Sequence, residues 1–493
     1  MKRIYTYLGM AVVGLTLSLT ACRDSAKGEL NKLLLEVADD DQTVDAAEWS
    51  RIAAFIDGHK AHFKNFYHGS DLDIDEVEDY IEDFFEHRRP PKRIKFTGIG
   101  GNIRVNFYLE RSGSMVPYDA PQGDGSFKAA IVRLLNALPG SDNRMFVVNS
   151  TITPYPQGIR QFVKDADIFT STQGMGDASY TDFQQIFDNI LNKTSAGELS
   201  ILVTDMIYST RQMAGVNAQK VFAEAQGMAA SVFKDEVKRK SILVIKMQGS
   251  YNGPYYAYNA PQQGRVYNGR RPYYIVIVGA NEVMARLTQD EAYRTFSDFA
   301  TLPGYENMYL FDADDVYNPY YSLLLAGKDV RGRFRPERGQ DNSITRIENV
   351  KPDANSGDIQ LELAVDLSRM LIDKNYLTDV SNYRIESDNP VMLKAIRPVG
   401  KADATPRERK YLGTATHIFV LTIPHLSHSQ EVDIKLLNQL PLWVSQSNDD
   451  DDTTVEPSTT FGLRYLLQGI YDSYARNADG QPCYFEMDLN LER

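Results

Sequence analysis

Cysteine is nearly missing from this chain of 493 residues: only Cys22 and Cys483 occur, so no disulfide framework holds the fold and packing must. Histidine is sparse and unevenly placed. All seven fall at positions 59–87 or 417–428, and the long middle of the chain has neither histidine nor cysteine. That withholds the commonest general base and the thiolate nucleophile from this region. Basic charge is also short. The 53 Lys and Arg face 66 Asp and Glu, and the net charge of −13 excludes general nucleic-acid binding while favouring solubility and cation attraction. No Gly-x-Ser-x-Gly and no phosphate-cradling glycine loop occurs. Beyond the first residues no apolar run reaches membrane length. What is present is 43% hydrophobic residues, enough for a sizeable core, over a length that predicts two to four domains.

The chain opens Met1-Lys2-Arg3, runs apolar from Tyr7 to Leu19, and reaches Leu19-Thr20-Ala21-Cys22 before polarity returns at Arg23-Asp24. The apolar run is shorter than the roughly 20 residues of a membrane span, and residues 1–21 read as a secretory signal peptide. Leu-Thr-Ala-Cys resembles a bacterial lipobox, which implies cleavage before Cys22 and lipidation of that cysteine. The implied location is the bacterial cell envelope, periplasmic or surface-exposed, with the outer membrane as the expected anchor.

Residues 22–95 predict a small helical region, since Leu30, Leu33, Leu34 and Val37, then Ile52, Ala53, Phe55 and Ile56, fall near helical spacing before Pro90-Pro91. From 96 to 330 short β-rich runs alternate with helical stretches, the pattern of a doubly wound α/β domain. Strands are expected at Ile103–Leu109, Met145–Val148, Leu199–Thr204, Ser241–Lys246, Tyr274–Val278 and Met308–Phe311. Helices are expected at Phe127–Leu138, Thr181–Leu191, Ala218–Val232, Glu282–Phe299 (with Asn281 as N-cap) and Val316–Leu325. Residues 249–271, rich in Tyr, Asn, Gly and Pro, predict a long loop or an extended hairpin. Its Tyr251, Tyr255, Tyr256, Tyr258 and Tyr267 are candidate partner contacts, because tyrosine gives large contact area at low entropic cost; packing onto their own domain is the competing reading. After a basic linker at Arg331–Arg338, residues 340–493 alternate as a β-sandwich-like domain would, with one helix at Phe461–Tyr474 and a solvated acidic loop at Asp449–Asp452.

The first α/β strand runs directly into Glu110-Arg111-Ser112-Gly113-Ser114-Met115. A loop at the carboxyl end of a strand in an open α/β sheet is where ligands bind. This motif resembles the Asp-x-Ser-x-Ser of the metal-ion-dependent adhesion site in von Willebrand factor A domains, with Glu110 standing where that family has Asp. Two further stretches follow in the family's order: Gly174–Asp182, which gives Thr181 the role of the family's loop threonine, and Thr204-Asp205, which gives Asp205 the role of its last aspartate. The resemblance covers roughly residues 100–327 and implies an all-oxygen site of Glu110, Ser112, Ser114, Thr181 and Asp205. Hydroxyls and carboxylates suit Mg²⁺, with Mn²⁺ or Ca²⁺ as alternatives, and argue against zinc. It further implies an open coordination position that takes a carboxylate from a partner protein. The extra methylene of Glu110 shifts its carboxylate by about 1.5 Å, large against the metal–oxygen distance of about 2.0–2.1 Å that Mg²⁺ demands.

Weaker echoes stand beside this. Asp39, Asp41, Thr43, Asp45 and Glu48 mimic EF-hand spacing without its glycine, and an acidic helix-capping turn before Ala46–Ile56 explains them more simply. The expected protein is therefore not an enzyme: it is a lipid-anchored envelope protein whose von Willebrand A-like domain mediates cation-dependent protein binding. The alternative is a metal-free structural subunit of an envelope complex that uses the tyrosine-rich loop and the β-rich domain.

Overall fold

The computed structural model describes residues 26–493, except 39–41, 45, 69–70, 73, 90, 93, 97–102, 139–142, 165–166, 178–180, 196, 209–215, 235–236, 238, 261–262, 312–316, 341, 369, 402, 407 and 478–481. The signal peptide and Cys22 lie outside the described residues, as do Asp39, Asp41 and Asp45 of the EF-hand echo. No helix among the described residues is long and apolar enough to cross a membrane. The chain divides into two compact units at Ile103/Arg104.

In the first unit, helices over residues 26–38, Ala46–Gly58 and Ile74–Glu86 bring together one apolar face each. Leu30, Leu34, Ile52, Ile56, Val77, Ile81 and Phe85 are all buried in a shared core, as the 3.6-residue spacing requires. Phe63 and Phe66 stack beside it with centroids 5.5 Å apart.

The second unit is built on a seven-stranded sheet: β1 Arg104–Glu110, β2 Arg144–Val148, β3 Ile152–Pro154, β4 Glu198–Thr204, β5 Lys240–Tyr255, β6 Arg265–Ala280 and β7 Tyr305–Phe311, in spatial order β7-β5-β6-β4-β1-β2-β3. Only β1, β2 and β4 are mutually parallel; β3, and the run β4-β6-β5-β7, pair antiparallel. The sheet is thus mixed. All but the first residue of β1 and every residue of β4 are buried, so both faces are covered at the centre, which is why these segments read as continuous apolar runs with few alternations.

The doubly wound expectation fails at β5 and β6, which pair antiparallel, and of the two readings of residues 249–271 it is the extended hairpin that forms. Each is 16 residues long, and they pair residue for residue from Lys240↔Ala280 to Tyr255↔Arg265. The stretch 249–271 is therefore the outer half of one long hairpin, and its tyrosines supply the strand-forming residues that a loop would lack. A second correction concerns residues 316–325. The expected helix is instead a strand, Tyr321–Leu324, whose Leu323 and Leu324 are fully buried against Ile359–Val365. Val316 lies outside the described residues. Nor is Asn281 a capping residue: it opens the helix Asn281–Gln289, and its Oδ1 accepts the Ser241 hydroxyl at 2.8 Å.

The β-rich part forms two sheets. Tyr321–Leu324, Ile359–Val365, His417–Ile423 and Met392–Pro398 make a four-stranded one; Arg333–Pro336, Arg346–Lys351, Cys483–Leu491, Gln430–Leu437 and Tyr383–Ser387 make a five-stranded one. The basic linker thus enters a sheet, with Arg333–Pro336 as an edge strand. Tyr383 meets Phe419 edge-on at 5.1 Å, so the two sheets share a core. The helix Leu463–Asn477 leaves these sheets and packs on Ala218–Val232, where Tyr465 stacks on Phe222 at 4.2 Å and Gln226 donates to Asp472 at 3.1 Å. Gly469 permits this approach, since a Cβ there would stand 2.4 Å from the Gln226 carbonyl oxygen.

Candidate functional site

Side chains alternate along a strand, so Asn106, Tyr108 and Glu110 leave β1 on one face while Val105, Phe107 and Leu109 take the other. Glu110 is the last residue of that polar row and is 1% exposed. Such a carboxylate must find partners, and it does. The Thr181 hydroxyl donates to its Oε1 at 2.5 Å, and the Thr204 hydroxyl donates to its Oε2. The Ser112 hydroxyl also acts on it, and Ser112 and Ser114 lie 3.0 Å apart, oxygen to oxygen. Ser114 in turn acts on the buried Asp205, whose Oδ1 accepts the Ile207 amide at 3.1 Å. Thr181, Glu110, Ser112, Ser114 and Asp205 are therefore gathered at the carboxyl ends of β1 and β4, with Thr181 bonded to Glu110 and Ser112 beside Ser114.

The second-strand loop ties this group together. Asn149, 1% exposed, donates from Nδ2 to the carbonyl oxygens of Met175 at 2.9 Å and Arg111 at 3.4 Å, and its own carbonyl accepts the Asp182 amide at 3.3 Å. One amide side chain thus links the serine loop to the threonine loop. Gly176, at φ 67°, lies where a Cβ would stand 2.2 Å from the Asn149 Oδ1. Gly176→Ala is expected to cost about 2–4 kcal/mol in urea unfolding, by left-handed strain plus displacement of Asn149. A loss no larger than about 0.5 kcal/mol, the scale of an ordinary surface change, would show that the two loops are not locked through Asn149.

Burial dominates the electrostatics. It pushes the Glu110 carboxyl up to about 7, helped by the neighbouring Asp205 charge and opposed by the hydroxyls of Thr181, Thr204 and Ser112. Asp205 is raised by burial too, against the pull of Ser114, the Ile207 amide and the Arg271 guanidinium. Its Oδ2 has no hydrogen-bond partner among the described residues. An orphaned buried carboxylate oxygen surrounded by hydroxyls is the donor chemistry a hard cation takes up. The residues present therefore fit such an ion. Glu110 meets it differently from a shorter acid: with both oxygens already accepting hydroxyls, it orients Thr181 and Thr204 from behind.

Several participants escaped the sequence reading. Thr204 shares the face of Glu110 and could have been found from strand parity, being the residue before Asp205. Asn149, Tyr118 and Arg271 carried no local signal. Tyr118 follows the serine loop, donates its hydroxyl to the Pro272 carbonyl, and packs edge-on against Tyr251 at 5.0 Å, fixing the loop to the hairpin.

The tyrosines of 249–271 do not present a contact surface as a group. Tyr251 and Tyr255 are each 1% exposed and belong to the core. Tyr258 stacks on Phe461 at 4.4 Å, and Tyr267 packs toward Tyr251 at 6.0 Å. Tyr256 reaches the serine loop: its ring lies over Gly113, where a Cβ would stand 3.3 Å from it. Nor is Asp449–Asp452 simply a solvated loop. Asp452 is 1% exposed and accepts the Tyr255 hydroxyl at 2.7 Å and the Tyr258 amide at 3.1 Å. A separate group of carboxylates, Asp433, Glu486 and Asp488, comes together by strand register on the five-stranded sheet, with Lys435 bridging Glu486 to Glu386 at 3.1 Å each.

No family model matches this chain, and neither a curated protein nor a solved structure does.

Proposed function

We propose that residues 104–311 act as a von Willebrand A-like domain that binds a divalent cation through Ser112, Ser114, Thr181 and Asp205, and uses it to hold a carboxylate of a partner protein. The observation that carries this reading is the gathering of hydroxyl and carboxylate oxygens from three separate loops, Thr181 on Glu110 and Ser112 within 3.0 Å of Ser114, with the buried Asp205 Oδ2 left without a hydrogen-bond partner among the described residues. The parallel strand order β2-β1-β4 supports it, since it matches three neighbours of the doubly wound order 3-2-1-4-5-6. Mg²⁺ is the preferred ion, with Mn²⁺ or Ca²⁺ as alternatives; when bound it supplies charge at an open coordination position. Glu110 holds the Thr181 hydroxyl in place, and Asn149 holds the loops. The lipobox resemblance at Leu19–Cys22 adds a lipid anchor and an envelope location to the proposal, and the role is binding, without turnover of a substrate.

The test is calorimetric titration of Mg²⁺, Mn²⁺ and Ca²⁺ into metal-stripped protein lacking residues 1–22, beside the Ser112→Ala/Ser114→Ala/Asp205→Ala variant. Saturable binding by the wild type and none by the variant is expected. Equal behaviour of the two would discard the reading.

A second reading has an observation of its own. Both Glu110 oxygens are satisfied by protein hydroxyls, so the site is largely complete without an ion, as a metal-free scaffold subunit of an envelope complex would be. Equal behaviour in the titration would favour it.

A further inference from the structure

The strand β6 outruns its neighbour. β4 ends at Thr204, opposite Tyr274, while β6 continues from Tyr273 back to Arg265 with only β5 beside it among the described residues. In an antiparallel pair, the backbone groups of successive residues point alternately toward the partner strand and away from it. The Gln248 amide donates to the Gly304 carbonyl at 2.7 Å and the Ser250 amide to the Ser126 hydroxyl at 3.4 Å, both away from β6. Their opposite numbers, Pro272 and Arg270, therefore point away from β5, into the lane that β4 has left. Side chains fill the near end of that lane: the Tyr118 hydroxyl donates to the Pro272 carbonyl, and the Tyr267 hydroxyl to the Arg270 carbonyl at 3.2 Å. Asn268 and Val266 come next at the same parity. Among the described residues no hydrogen bond reaches their amides or carbonyls, or the Arg270 amide.

An open edge of this kind is a template for another strand, and natural edges are commonly guarded by a bulge, a proline or a lysine. This one pairs with β5 without a register shift, its proline stands at the covered end, and its open stretch carries the exposed Asn268 and Val266, the latter 80% exposed. Exposed arginines flank that stretch. Arg270 pairs with Asp124 at 3.5 Å, and no carboxylate pairs with Arg265 among the described residues, its reach to the Asp452 carbonyl being 3.4 Å. We propose that residues 265–270 take an extended, acidic segment of the partner protein as an added strand of the sheet. A second copy of this chain fits less well, because the same short edge would set these arginines against one another. The lane begins where β4 delivers Asp205, so a segment running in the direction of β4 pairs antiparallel with β6 and has its first residues nearest the serine loop and Asp205. The carboxylate that meets the cation is therefore expected at the start of the segment. That last part rests on the proposed cation site; strand addition does not.

The probe is a displayed library of random peptides carrying one fixed aspartate, selected in Mg²⁺ on the protein lacking residues 1–22; the best peptide is then synthesised and its binding followed by fluorescence anisotropy. Methylating its backbone nitrogens one at a time tests strand addition on the unaltered chain. Methylation at alternate positions should weaken binding about ten-fold each, the scale of one lost main-chain hydrogen bond, and the positions between should tolerate it. Asn268→Pro, which removes an outward amide and leaves the pairing with β5, should weaken the unmethylated peptide similarly, and Arg265→Glu should weaken it too. Tolerance of methylation at every position, or no peptide selected at all, overturns the proposal. So does self-association of the chain in sedimentation that Asn268→Pro abolishes, since the occupant of the edge is then a second copy. Repeating the titration in chelator, and with the Ser112→Ala/Ser114→Ala/Asp205→Ala variant, separates the two readings. Binding that keeps the alternating pattern but ignores both changes supports strand addition and discards the cation site. Binding lost in chelator yet indifferent to methylation and to Asn268→Pro keeps the cation site and overturns strand addition.

Discussion

Raising the pH from about 4.5 to above 7 is expected to remove about 3 kcal/mol of unfolding free energy from the metal-stripped protein through Glu110 alone, seen as the difference between wild type and Glu110→Gln. The sign follows from the direction of the shift. Glu110 holds its proton up to about 7 in the folded chain, whereas an unfolded glutamic acid releases it near 4.5. Across that window the folded state binds more protons, so its stability is greatest at the acid end and falls as pH rises, levelling off above the folded value. Other acids buried in this chain, Asp205 and Asp452 among them, contribute slopes of the same sign, which is why the variant must be the reference. A bound divalent ion reverses the preference, since it favours the ionised site. Mg²⁺ should therefore stabilise the chain more at pH 8 than at pH 5. Superimposable pH profiles for wild type and Glu110→Gln would mean that burial does not hold the Glu110 proton in the folded chain.

The second large effect lies outside the proposed ion site, at the contact between the hairpin and the C-terminal region. Asp452→Ala is expected to cost about 3–5 kcal/mol, because it strands the Tyr255 hydroxyl and the Tyr258 amide and removes a negative charge from the surroundings of Arg271. Asp450→Ala, two residues away and exposed, should change stability by no more than about 0.5 kcal/mol, since its ion pair with Arg464 is long and solvated. Tyr255→Phe, which deletes only the hydroxyl, should fall between them at about 1–2 kcal/mol. Urea unfolding monitored by tyrosine fluorescence reads all three. Equal, small effects would show that the acidic run is the solvated loop its composition suggests.

The same segment explains why residues 104–493 form one compact unit even though their sequence changes texture near residue 330. Lys246 and Gln248 donate to the Ser458 and Pro457 carbonyls at 3.2 and 3.0 Å, and the Tyr274 and Thr460 hydroxyls are 3.1 Å apart. These contacts join positions some two hundred residues apart, and composition gives no hint of such pairings.

The serine motif of the candidate site, its threonine and its second carboxylate were legible one residue at a time, because a strand that ends in polar residues announces a loop at the sheet edge. Ala218–Val232 was legible to the residue, since helical spacing and the burial of Val221, Phe222, Ala225 and Ala229 agree there. Periodicity could not distinguish a helix from a strand at residues 316–325, where a short apolar run suits either and only pairing with Ile359–Val365 settles it. The tyrosines of 249–271 were ambiguous for a related reason: an aromatic side chain serves a surface and a core equally well, and which it joins depends on what covers it. In this chain local spacing determined the strands that lead to the site and which oxygens stand at the ends of β1 and β4. Only the tertiary structure decided that β5 and β6 are one hairpin, that Asp452 is buried, and that Arg271 lies over the Tyr255 ring. Those outcomes depend on free energies of burial and charge pairing between distant segments, which no stretch of sequence carries by itself.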